Sequence, residues 1–165
     1  MDSRTIADTL REQQELVERL LETANQKTPV LVHNDIERLS AITLKERKLV
    51  QQAEELERKR MTLANLYFSK MGFRTRNAKL SDMIRTVSNP QEKTVLLELQ
   101  RGLADKLAKL KSVNELNQQL ISQSLRFIDY SIDLLVEKPL EDIVYRHPMQ
   151  HSGGNRPTGW FDKKA

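Results

Sequence analysis

Residues 89–137 read NPQEKTVLLELQRGLADKLAKLKSVNELNQQLISQSLRFIDYSIDLLVE, and the fold turns on the periodicity of this stretch. Asn89 is a capping residue, Pro90 takes the first helical position, where its missing N–H matters least, and Glu92 stands at the third. From there Leu96, Leu99, Leu103, Leu107, Leu110, Val113, Ile121, Leu125, Ile128, Ile132 and Leu135 recur at helical spacing, and Lys138-Pro139 predicts the end. At heptad spacing Leu96, Leu103 and Leu110 align with Asn117 and Ser124. Leu107, Asn114, Ile121, Ile128 and Leu135 form a second set. Asn114 and Asn117 therefore interrupt an apolar stripe. They either fix the register, as buried asparagines do in coiled coils, or mark a place where the bundle loosens for a partner.

Two more helices precede this one. Ser3 caps a helix over residues 3–28 that carries Ile6, Leu10, Leu16, Val17, Leu20, Leu21 and Ala24, and Pro29 predicts its end. Asn34, with Glu37 three residues on, reads as the cap of a second helix over 35–71. Its stripe runs through Ile36, Leu39, Ile42, Leu49, Val50, Ala53, Leu56, Leu63 and Leu66, and Gly72 is its stop. At ~1.5 Å per residue that helix is roughly 50 Å long and must lie along another helix. A short helix is expected over 82–87. The fold class expected is all-α: an elongated antiparallel helical bundle or coiled coil of three main helices and a short connecting one over residues 1–138. Residues 139–165, with three prolines and three glycines, read as a flexible C-terminal tail.

Composition agrees with long, narrow apolar stripes. Of 165 residues 38% are hydrophobic and 30% charged, too polar for a spherical core. The absence of cysteine excludes disulfides and thiol chemistry. No apolar run approaches the ~18 residues of a membrane span, and none follows Met1 as a secretion signal, so membrane insertion is not expected and the cytoplasm is. The net charge of +4 divides into −3 over residues 1–44, +6 over 45–85, zero over 86–138 and +1 beyond. The basic segment is interleaved with Glu46, Glu54, Glu55 and Glu57, as on a solvated helix face, so nucleic acid is not an expected partner.

No phosphate loop, nucleophile elbow or His-Glu-x-x-His pattern occurs. His147 and His151 flank Pro148, where a helix that could bring them together on a metal is disfavoured. The chain is expected to have no active site, cofactor or metal. What remains is surface. Leu120, Ile121, Leu125, Phe127, Ile128, Tyr130, Ile132, Leu134, Leu135 and Val136 surround most of one helix, which calls for burial on two sides. A deeper core, a homodimer seam and a groove for a partner helix all satisfy that need. Trp160 and Phe161 in the polar tail are either a binding epitope or a segment that folds back on the bundle.

The run Asn114-Glu115-Leu116-Asn117-Gln118-Gln119-Leu120-Ile121-Ser122-Gln123-Ser124-Leu125, then Phe127-Ile128 and Ile132 to Leu135, resembles the C-terminal helix of FlgN-type flagellar export chaperones. The segment His33-Asn34-Asp35-Ile36-Glu37-Arg38-Leu39 before a long Glu/Lys-rich helix fits as well. The ending Trp160-Phe161-Asp162-Lys163-Lys164-Ala165 is similar to that of Gram-positive members. The resemblance implies a cytoplasmic chaperone that binds the C-terminal helices of the hook–filament junction proteins FlgK and FlgL and delivers them to the type III export gate. It implies client contacts at Leu120, Ile121, Leu125, Phe127, Ile128, Tyr130, Ile132 and Leu135. It also places Tyr145 where the family uses a tyrosine against the gate protein FlhA, although Arg146-His147-Pro148 follow in place of the family's glycine-containing turn. A structural coiled-coil homodimer or adaptor with no export role is the alternative.

Overall fold

The computed structural model describes the backbone of residues 3–141 and the side chains of residues 4–136. Among these residues are four α-helices and no strand: α1 (Ser3–Val32), α2 (Ile36–Lys70), α3 (Leu80–Thr86) and α4 (Pro90–Glu141). The chain divides into two units, Met1–Arg126 and Phe127–Ala165, the second beginning within α4. Tyr145, Trp160, Phe161, His147, His151 and all of the expected tail beyond Glu141 lie outside the described residues.

The all-helical expectation holds, with corrections at helix ends. α1 does not stop at Thr28 but passes through Pro29 to Val32. A proline inside a helix withholds one N–H and costs roughly 3 kcal/mol. Val30 and Leu31 beyond it are buried, and two aliphatic side chains removed from water are together worth about as much or more. Packing thus outweighs the local breaker. α1 closes with Asn34 in the left-handed region at φ +53. Asn34 N donates to Leu31 O at 3.3 Å and Asp35 N to Val30 O at 3.2 Å, the paired bonds of a Schellman closure.

That closure corrects the expected cap of α2. Asn34 is used up in ending α1, because asparagine tolerates the left-handed conformation. Asp35 takes over as the cap, its Oδ1 accepting from Arg38 N at 3.1 Å, and Glu37 falls at the second rather than the third helical position. At the far end Gly72 stops α2 as expected. It adopts φ +83, with Gly72 N donating to Ser69 O and Phe73 N to Phe68 O. Asn89 caps α4 as expected, Oδ1 accepting from Gln91 N at 2.9 Å. α4 is not broken at Lys138-Pro139 but is helical to Glu141, the last residue described; one proline removes a single bond and can kink a helix without ending it.

The pairing of the long helices follows from side chains that bridge them. Glu12 meets Lys59, Gln13 meets Glu57 and Lys27 meets Glu46, so α1 and α2 are antiparallel. Gln14 donates to Leu99 O at 2.8 Å, Lys106 to Glu18 at 2.9 Å and Asn117 to Ala24 O at 2.9 Å, so α4 runs parallel to α1 and against α2. The principal core gathers Ile6 and Leu10 of α1, Leu63 and Phe68 of α2, Met83 and Ile84 of α3, and Leu96 of α4. A smaller cluster joins Leu16 and Leu20 to Leu49, with Leu110 packed on it.

α4 uses one of its two heptad sets for this packing. Leu96 is buried, Leu103 and Leu110 pack on the clusters, and Asn117 is 3% exposed. Of the other set, Leu107, Asn114, Ile128 and Leu135 are exposed. The two asparagines therefore part company. Asn117 is a satisfied buried residue, donating to Ala24 O and accepting from Thr28 Oγ1 at 2.6 Å. Asn114 is solvated and fixes nothing.

Candidate functional site

Residues 127–136, Phe-Ile-Asp-Tyr-Ser-Ile-Asp-Leu-Leu-Val, contain no glycine, proline or basic residue. Nothing in them interrupts α4, and Ser131 turns its hydroxyl inward to donate to Phe127 O at 2.8 Å. Seven of these ten residues are large and apolar, and all seven are exposed, Phe127 at 71% and Leu135 at 74%. Such side chains on a soluble helix face are ordinarily covered.

At about 100° per residue the seven fall into two groups. Ile128, Ile132, Leu135 and Val136 share one side. Phe127, Tyr130 and Leu134 share another, about 140° away around the axis. Asp129 and Asp133, one turn apart, form an acidic strip along one border between the groups. Ser131 lies on the other border, and its inward-turned hydroxyl leaves little polarity there. The apolar arc so formed covers roughly two thirds of the circumference.

The expected client residues are thus distributed unevenly. Phe127, Ile128, Tyr130, Ile132 and Leu135 belong to this exposed set. In the first unit Leu125 is exposed, while Leu120 and Ile121 are half-buried. Leu134 and Val136 are exposed alongside the expected residues, and the same helical spacing marks them. Asp129 and Asp133 were not singled out; their four-residue interval is the signal that would have found them. Elsewhere, a groove of about 390 Å³ lies between the starts of α1 and α4, lined by Ala7, Val95 and Leu96 with Arg4, Asp8 and Arg11. Among the described residues no group of three or more His, Asp or Glu side chains is placed to hold a metal ion, and no helix is long and apolar enough to cross a membrane.

A family model described as FlgN protein matches residues 1–153. The chain belongs to the FlgN family. It is 32% identical over 138 residues to YvyG, an uncharacterized protein of Bacillus subtilis (strain 168), a match covering 84% of this chain and 83% of that one. No solved structure matches. The FlgN family is a chaperone family, not an enzyme family.

Proposed function

We propose that this FlgN-family protein is a flagellar export chaperone that acts in the cytoplasm on FlgK and FlgL. Their C-terminal helices are taken up on the apolar arc of residues 127–136, kept from premature assembly, and delivered to the export gate. The observation that carries this reading is the exposure of seven consecutive-turn apolar side chains on one helix. Segments that are unfolded before assembly can fold as amphipathic helices against such a surface, the apolar burial offsetting their ordering entropy. Leu120, Ile121 and Leu125 are further candidate contacts in the first unit. Tyr145 is the proposed contact with FlhA, and Trp160 with Phe161 a tail epitope for a partner.

The test uses the full chain with purified FlgK and FlgL. Titration calorimetry on wild type and on a Phe127→Ala/Tyr130→Ala double variant is expected to show tight binding weakened roughly thirtyfold or more, the effect of removing an interface anchor worth about 2 kcal/mol. Both side chains are exposed, so the variant should keep its helicity and melting temperature. Undiminished affinity would move the client site elsewhere. Failure of wild type to bind either protein, with mass rising as concentration rises, would favour the homodimer instead.

A further inference from the structure

We propose that residues 127–136 of α4 form the centre of a three-helix assembly in which a client supplies two helices, one on each side. This rests on the chaperone reading and specifies its geometry. The Phe127, Tyr130 and Leu134 group and the Ile128, Ile132 and Leu135 group are both exposed and stand about 140° apart around the axis. A helix docks through a stripe about 100° wide, at an interaxial distance of 8–10 Å. A single partner helix therefore covers one group and leaves the other in water. At ~25 cal/mol per Å² an uncovered group of three large side chains is a substantial unrealised gain, and a second helix realises it.

Charge identifies the occupants as client helices rather than second copies of this chain. The only ionised side chains among residues 127–136 are Asp129 and Asp133, and neither forms an ion pair with another described residue. Two antiparallel copies paired through one group would set their strips side by side, four carboxylates against only the two guanidiniums of Arg126, three residues before Asp129. Partner helices with basic residues along the edge facing the strip meet no such repulsion and gain complementary pairs.

The test places p-benzoylphenylalanine at position 130 or at position 132 of the full chain, one on each side of the helix. Each is irradiated with FlgK or FlgL, and the crosslinked client residues are mapped by mass spectrometry. Two client helices predict two separate client segments, one per position. In parallel, Tyr130→Ala and Ile132→Ala should each weaken client binding about tenfold. Crosslinks from both positions into one client turn, or from one position alone, would overturn the two-helix geometry while leaving the chaperone reading in place. Crosslinks between copies of this chain would overturn the choice of occupant. Client that binds without crosslinking at either position would remove the site from residues 127–136. Absence of client binding to the unsubstituted chain would instead defeat the chaperone reading, and this proposal with it.

Discussion

Asn117 is a polar side chain fully enclosed between α1 and α4, and it satisfies two groups at once, the Ala24 carbonyl and the Thr28 hydroxyl. Truncation to alanine leaves both without that partner in a buried place. Asn117→Ala should therefore destabilise the protein by about 1–3 kcal/mol, read as a lowered midpoint in urea with an unchanged slope. A loss below about 0.5 kcal/mol would show that the pair is solvated in practice. Glu57 allows a second prediction. The Arg60 guanidinium holds its carboxyl below the ordinary range, working against burial and helped by the Gln13 amide. Its folded value lies under its unfolded one, so the contribution is complete above the ordinary value of 4.5 and is lost as pH falls through the folded value. Melting temperature should drop more steeply with acidification below that point in wild type than in Glu57→Gln. Equal slopes would mean that water screens the pair, since Glu57 is half exposed. The heptad set of Asn117 was legible in the sequence. That Asn114 is solvated was not, because periodicity places residues on faces without saying which face meets a neighbour.

At the scale of helices, Gly102 sits inside α4, where glycine costs about 1 kcal/mol relative to alanine. A Cβ there would come within 2.6 Å of Gln14 Nε2, the atom that donates to the Leu99 carbonyl. The missing side chain is what lets α1 reach the α4 backbone. Gly102→Ala in wild type should gain helix propensity and lose this bond, leaving stability within about 1 kcal/mol of the original. In a Gln14→Ala background nothing is displaced, and the same substitution should stabilise by about 1 kcal/mol. The double-mutant cycle measures the difference; additivity would show that the close approach has no energetic role. No sequence pattern announces this, since it requires knowing that Gln14 lies opposite. The helices themselves and the stop at Gly72 were legible, because caps and periodicity are local; that Asn34 closes α1 and leaves the cap of α2 to Asp35 was not, because asparagine serves equally at either kind of helix end. Pro29 was over-read: its cost is local and visible, whereas the burial of Val30 and Leu31 that outweighs it is tertiary.

For the molecule as a whole, all four helices contribute to one core around Met83, which is fully buried. Met83→Ala should cost about 2–5 kcal/mol and lower the melting of the helical signal as one transition, measured by circular dichroism. A smaller loss, or melting of α3 alone, would mean that the short helix is not integral to the core. The candidate site was half legible. Composition showed a helix apolar nearly all round, but a deep core, a self-association seam and an open arc share that composition, and only exposure separates the first from the others. The junction between α1 and α2 has a different consequence. Asp35 completes the closure of α1 with its N–H and opens α2 with its carboxylate, so just three residues separate the helices and none is spare. One inserted residue would turn α2 by about 100° about its own axis, carrying Leu49, Leu63 and Phe68 out of phase with α1. Natural length variation among related chains should accordingly collect in the irregular segment at 73–77 and avoid 33–35, where the count of residues works as a gear setting.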